Sequence, residues 1–341
     1  MREPIMTAVA TVDTGEVEIL REVPIPTWFG VGGAARRLAH PASVAQLMAC
    51  LKIDAGLLVL GDGANLLVAD EGVGPLVVVL DRGEFVAQRL LGPDGGMLEG
   101  GHELVRVGAG AKLPQTITWS HRLGLVGLEV LGGIPATLGG AAVMNAGGAF
   151  GQISDMVHAV TVLTRGGALV EFGREELRFG YRRAEFGGIL DGAGAVVVAV
   201  TLALRRAASG DELAAARAKL IEVMEYKKSS QPMAAQSAGC AFKNPTLAAT
   251  IEGIGAAGAR VSAGMLIDRA GCKGLRLGCA EVSERHGNFI TARLDLGVPG
   301  RADDVVALMR LVRSRVAERF GVSLEPEVVL WSASGRDTLG S

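Results

Sequence analysis

LGGIPATLGGAAVMNAGGAFG, residues 131–151, is the stretch on which the fold turns. It holds seven glycines in 21 residues, with one proline and no charged side chain. A solvent linker favours Ser, Glu and Lys instead. Glycine permits positive φ and close backbone approach, so successive amides can converge on an anion. A short helix opened by Gly139-Gly140 and running from Ala141 to Asn145 would add the positive end of its dipole. Tight packing of strand connections explains the same glycines, and the residues alone leave both readings open.

Working outward, the flanks read as alternating strands and short helices. On the N-terminal side, Val44, Leu47, Met48 and Leu51 keep the i, i+3, i+4, i+7 rhythm of a helix. A strand at Leu57–Leu60, a turn over 61–65 and apolar runs at Leu66–Val68 and Leu76–Leu80 complete a small α/β unit. From about 81 to 205 strands dominate (Leu104–Val107, Ala159–Leu163, Val196–Leu204), with one helix from Pro114 to just before Gly124. The last third opens with a helix on which Leu213, Leu220, Ile221 and Met224 share a face, after Ser209 and Asp211 as caps. A closing helix from Asp303 to Phe320 buries Val305, Leu308, Met309, Val312, Val316 and Phe320 and stops at Gly321. The tail LEPEVVLW returns as a strand to an earlier domain.

Composition narrows the function classes. The chain has 341 residues, 49 of them glycine without a Gly-x-y period, and is 49% hydrophobic, which excludes collagen and a disordered chain. A net charge of −2, from 34 basic and 36 acidic residues, offers no field for nucleic acid or an acidic membrane. The longest apolar run, Ala195–Leu204, falls short of the roughly 20 residues of a membrane helix. The first residues carry acids where a signal peptide is apolar, so a cytoplasmic protein is expected. Four cysteines without a CxxC pair leave a disulfide open, and five scattered histidines without HExxH predict no metal site.

Five segments could carry chemistry. Gly61-Asp62-Gly63 and Gly108-Ala109-Gly110 begin like dinucleotide fingerprints, but Leu66 and Leu113 stand where the last glycine belongs. QPMAAQSAGCAFKNP (231–245) sets Cys240 in a small-residue turn before Lys243 and Asn244. A thiol of ordinary pKa about 8.5 is protonated at neutral pH and can donate a proton, although a lone cysteine is more often a small buried hydrophobe. FGYRR (179–183) presents Arg182 beside Tyr181, a fork suited to a carboxylate, against the commoner surface ion pair. Glu325-Pro326-Glu327 reads equally as solvated strand-edge charge.

Taken in order, VGGAA (31–35), LGDGANLLV (60–68), GLEVLGGIPATLGGAAVMNAGG (127–148), FGYRR, the 231–245 turn, AGMLIDRAGCKG (263–274), VSERHGNFI (282–290) and LEPEV (324–328) resemble one family. It is the UDP-N-acetylmuramate dehydrogenases, also called UDP-N-acetylenolpyruvoylglucosamine reductases, and the resemblance spans about residues 27–330. It implies an α+β chain: a two-part, vanillyl-alcohol-oxidase-like (PCMH-type) FAD-binding fold plus a C-terminal α/β substrate-binding domain. The implied domains are 1–80 joined by the C-terminal strand 326–341, then 81–205, then 206–325. Implied cofactors are FAD and NADPH, and the implied partner is a nucleotide-sugar substrate, UDP-N-acetylglucosamine-enolpyruvate, bound by a monomer. Hydride reaches the flavin from NADPH and then enolpyruvyl C3, while a protein acid protonates C2, in peptidoglycan precursor synthesis.

By the same resemblance the acid falls on Cys240, and Arg182 and Glu327 stabilise the enolate. A guanidinium suits charge developing at C2 and the carboxylate. Glu327 helps only if protonated or hydrogen-bonded, so burial is expected to raise its pKa. The flavin falls to Gly61, Gly63, Ala64, Asn65, Leu66, Gly133, Ile134, Pro135, Thr137, Gly139, Gly140, Asn145 and Ala146. Substrate diphosphate and sugar fall to Tyr181, Lys228, Lys243 and Asn244. The chain departs from the family pattern at Ala64 (usually Ser), Ala136 (Gly), Phe150 (Tyr), Gln236 (Pro) and the Pro26-Thr27-Trp28 start (Asn-Thr). About 25 residues between Leu204 and the QP turn place it in the branch without a tyrosine-bearing insertion. Other readings are a different FAD oxidase or dehydrogenase on the same fold, acting on an alcohol, and a silent nucleotide-sugar binder.

Overall fold

The computed structural model describes residues 17–92, 97–98, 101–190, 194–297 and 299–337. The acids near the start, from which location was argued, fall largely in residues 1–16, outside the described residues. The chain divides into two compact units. The first takes Met1–Leu20, Leu38–Asp62 and Leu76–Glu225, and the second takes Arg21–Arg37, Gly63–Pro75 and Tyr226–Ser341.

In the first unit, Leu38–Ala39, Val77–Val79 and Leu58–Leu60 form a parallel ladder in which Leu38 and Leu58 both face Val77. Helix α1 (Val44–Ile53) starts at Ser43, whose hydroxyl accepts from the Gln46 amide at 3.3 Å, and buries Leu47, Cys50 and Leu51. An antiparallel sheet follows in the order Leu169–Gly173, Val157–Thr164, Ala195–Arg206, His102–Gly108, Gln88–Leu90. Ala195–Leu202 is buried at every position, which is why its valines run on without alternating. Helix α2 (Leu113–Arg122) has proline in its first turn and ends before Gly124 at φ +75°.

Helix α3 (Leu138–Val143) begins earlier than the glycine pair suggests, because Thr137 caps it. Helix α4 (Gly210–Ser230) starts where the Glu212 amide donates to Ser209 Oγ at 3.2 Å. Its expected apolar face is corrected: Ile221 and Met224 are 58% and 51% exposed, whereas Ala216 and Val223 are buried. The row that packs inward is Ala216, Leu220 and Val223, an equally regular i, i+4, i+7 stripe, led by an alanine that carries little hydrophobic signal.

In the second unit, α5 (Ala263–Arg269) is capped by Ser262, and α6 (Ala302–Phe320) packs Val305, Leu308, Met309, Val312 and Val316 into the core. Gly321 ends α6 at φ +66°, as predicted. Phe320 is only partly buried. The start of α6 is capped from far away, since the Asp70 carboxylate accepts from the Ala302 amide at 2.8 Å and the Asp303 amide at 3.2 Å. Strands Arg276–Leu277, Ala280–Val282 and Ile290–Ala292 make a small antiparallel sheet. The tail returns as expected: Val329–Trp331 pairs in parallel with Leu66–Val68.

Candidate active site

The glycine-rich segment divides residue by residue between the two readings left open above. Leu138 and Gly139 donate their amides to Ala111 and Ala109 carbonyls at 2.9 and 2.8 Å, and Gly140 donates to Thr137 Oγ1 at 3.3 Å. The first amides of α3 are therefore satisfied by protein, and the expected dipole site at Gly139-Gly140 is corrected. Gly139 is a packing glycine, for a Cβ there would lie 2.8 Å from that of Ala109. Just upstream, the amides of Gly133 (φ +68°), Ala136 and Thr137 donate to no protein acceptor among the described residues. Thr137 Oγ1 also lies 3.0 Å from where a Cβ on Gly61 would stand, so glycine keeps that turn close to the hydroxyl.

Asn145 and the FGYRR hairpin are held as one piece. Strands Leu177–Gly180 and Arg183–Phe186 leave Tyr181 and Arg182 as the two turn residues. Arg182 sits at φ +54°, its guanidinium 5.3 Å from the Tyr181 ring centroid, and its Nη1 donates to the Gly147 carbonyl at 3.1 Å. Asn145 is 2% exposed, and its Nδ2 donates to Gly180 O at 2.9 Å and to Gln152 Oε1 at 3.1 Å. Its Oδ1 accepts from Ser154 N at 3.3 Å. The expectation that Asn145 serves the cofactor is corrected for its side chain, which is committed to protein. Ala146 likewise donates its amide to Ala141 O at 2.8 Å.

The second unit gathers the other chemistry-bearing residues. The amides of Gly63, Ala64 and Asn65 donate to no protein acceptor among the described residues. Gly63 runs at φ +65° with the Pro26 carbonyl 2.2 Å from a would-be Cβ, so no other residue fits there. Asn65 Nδ2 donates to the Glu327 carbonyl at 3.0 Å, and Val329 N donates back to Asn65 O at 3.1 Å. Leu66 is 5% exposed and opens a core strand. Ala64 leaves the turn with main-chain donors only.

Cys240 is half-buried at the end of this network. Its backbone bridges Phe289 on one side, and Phe242 bridges Pro326 on the other. Glu327 N donates to Ala241 O at 2.9 Å and Lys243 N to Glu325 O at 2.8 Å. Thus Asn65, the Cys240 turn and the main chain of Glu327 are brought together. Asn288, 3% exposed, was not anticipated: its side chain accepts from Phe242 N at 3.0 Å and donates to Phe242 O at 2.8 Å. It supplies both bonds a neighbouring strand would give, a tertiary effect that no local pattern signals.

The expected substrate residues fare unevenly. Lys243 Nζ pairs with Glu325 at 2.6 Å. Asn244 Oδ1 accepts from Ala263 N at 2.9 Å and so helps cap α5. Lys228 is exposed, whereas Lys227, unremarked in the sequence, is 9% exposed. Lys112, also unanticipated, pairs with Asp62 and neutralises the one acid of the 61–65 turn.

Two groups yield predictions. Burial works to raise the Glu129 carboxyl, but hydrogen bonds from His121 and from the Glu129 and Gly127 amides outweigh it and hold it below the usual carboxylate range. A depressed carboxylate contributes stability above its unfolded pKa of about 4.3, lost as pH falls through the folded value. The melting temperature should therefore fall on acidification below about pH 4, and Glu129→Gln should blunt the fall. Secondly, none of the four cysteines is in a disulfide. Burial pushes Cys50 up to about 11 and also raises Cys272 and Cys279. Dithionitrobenzoate should label one thiol of the folded protein quickly, and Cys240→Ala should abolish that phase.

Among the described residues no group of three or more His, Cys, Asp or Glu could hold a metal ion, and no helix is long and apolar enough to cross a membrane. Comparison with known proteins gives consistent matches. Residues 34–173 match the family described as FAD binding domain, and residues 231–331 match UDP-N-acetylenolpyruvoylglucosamine reductase, C-terminal domain. The UDP-N-acetylenolpyruvoylglucosamine reductase of Desulfosudis oleivorans is 36% identical, covering 89% of this chain and 91% of that one. The like-named protein of an Anaeromyxobacter species is 38% identical over 92% of this chain and 88% of its own. The crystal structure of UDP-N-acetylenolpyruvylglucosamine reductase from Thermus caldophilus superposes with a TM-score of 0.69 at 36% identity, covering 93% of this chain and 99% of that one.

Proposed function

We propose, from the premise that this chain belongs to the UDP-N-acetylenolpyruvoylglucosamine reductase family and is an FAD-dependent oxidoreductase of the two-part flavin fold with a C-terminal domain, that it reduces UDP-N-acetylglucosamine-enolpyruvate to UDP-N-acetylmuramate at the expense of NADPH. Bound FAD would supply the hydride chemistry between nicotinamide and enolpyruvyl carbon. The residues of each unit, taken by itself, fit such a group: one carries the uncommitted amides of Gly133, Ala136 and Thr137 and the other those of Gly63, Ala64 and Asn65, donors of the kind a diphosphate accepts from. Gly61, Leu66, Ile134, Pro135, Gly139, Gly140 and Ala146 would shape the cradle by packing and backbone form.

As hydride arrives at C3, electrons move onto C2 and the carboxylate. Arg182 would meet that charge, Glu327 would hold the enolate through a shared proton, and the Cys240 thiol would hand its proton to C2. Tyr181, Lys228, Lys243 and Asn244 would take the nucleotide and sugar, Lys243 by exchanging Glu325 for diphosphate. The reading keeps the three-part division at 80, 205 and 325, a raised Glu327 pKa, and a cytoplasmic monomer. The network tying Asn65, the Cys240 turn and the main chain of Glu327 supports it, because it holds on neighbouring backbone the two residues to which the proton and the enolate are assigned, whereas an alcohol oxidation takes a proton from its substrate.

The test is colour. A yellow protein should bleach anaerobically with NADPH and recolour only with the enolpyruvyl nucleotide. Recolouring by oxygen or another acceptor alone, with alcohols bleaching it, would establish the oxidase instead.

A further inference from the structure

We propose that Asn145 is the positioning residue for Arg182, acting through the main chain of the hairpin; this rests on the role given to Arg182 above. The observation is a reciprocal clasp. Asn145 reaches to the carbonyl just before the turn, Gly180 O at 2.9 Å, while Arg182 reaches back to the carbonyl two residues after Asn145, Gly147 O at 3.1 Å. Both residues occupy left-handed backbone, at φ +41° and +54°. Such backbone persists in non-glycine residues only where the surroundings impose it, and asparagine tolerates it better than most.

The two-residue turn itself calls for a positive φ at Arg182, but it does not fix where the tip of the hairpin lies. Gly180 has no side chain, Tyr181 and Arg182 are only partly buried, and the packed anchors, Leu177, Ala184 and Phe186, lie further down the strands. Asn145 is buried, its remaining amide hydrogen is spent on Gln152 and its oxygen on Ser154, so its own rotamer is fixed. Hydrogen bonds in such a setting are stiff. Asn145 therefore fixes where the guanidinium starts, and Gln152 and Ser154 fix Asn145.

The variant to make is Asn145→Gly, which accepts φ +41° without strain and removes only the side chain. The flavin-loaded enzyme should bleach with NADPH as the wild type does, while recolouring by the enolpyruvyl nucleotide slows about 100-fold, the cost of misplacing a group by an ångström. Added to Arg182→Ala, it should cost nothing further. Trypsin should cut the purified enzyme faster after Arg182 or Arg183, a readout independent of turnover. Asn145→Asp, isosteric but without the donors, should behave like the glycine variant.

Unchanged recolouring, or bleaching and recolouring falling together with flavin content, would overturn the proposal. Should the wild type itself fail to recolour with this nucleotide, the reading of function fails. The clasp is then judged on proteolysis, and an unchanged cutting rate overturns it.

Discussion

Cys240→Ala is expected to bleach under NADPH as the wild type does and yet lose about 10²–10⁴-fold in product formation, the usual worth of a general acid. The substitution is a clean one. The frame around the thiol is built from main chain and from Asn288, through Ala241 N to Asn288 O at 2.7 Å and the paired bonds to Phe242. Removing one sulfur from a half-buried position leaves that frame standing. Cys240→Ser should recover part of the turnover, since a hydroxyl donates less readily than a thiol. An alanine variant that forms product at the normal rate would reduce Cys240 to a packing residue. Stopped-flow absorbance of the flavin in the two half-reactions measures both steps.

Arg182→Gly should separate stability from catalysis. At φ +54° any non-glycine residue carries about 1–2 kcal/mol of backbone strain. Glycine relieves it but forfeits the Gly147 hydrogen bond, worth about 1 kcal/mol. The two nearly offset, so the melting temperature should move by only a few degrees. Turnover should fall about 10²–10³-fold, the cost of removing a donor aimed at developing charge. Arg182→Lys keeps the charge but not the fork, and should retain less than a tenth of the wild-type rate. A glycine variant of undiminished turnover would take Arg182 out of the chemistry.

Much of this architecture is legible from local pattern. Helix α6 and its Gly321 stop follow from an unbroken apolar period, and the returning tail from its alternation and valines. The start of α3 is not legible, because a threonine cap outcompetes the glycine pair that follows it. The inward row of α4 is led by an alanine, which hydrophobic pattern underweights. The polar residues that shape the candidate site (Asn288 on Phe242, Asp70 on α6, Asn65 on Glu327, Asn145 on Gly180) all act across long separations, where sequence carries no trace of proximity. Cys240 itself stands out only through family resemblance, since chemistry alone favours a buried thiol.

The bond from Asn65 to the Glu327 carbonyl spans 262 residues. Residues 66–68, next to it, are paired by Val329–Trp331. A ribosome must therefore add 262 residues beyond Asn65 before the 63–65 loop has its partner. The loop is braced only once residues 327–331 have been made, and a truncation just before Glu327 should yield colourless protein even though every amide of that loop is still encoded.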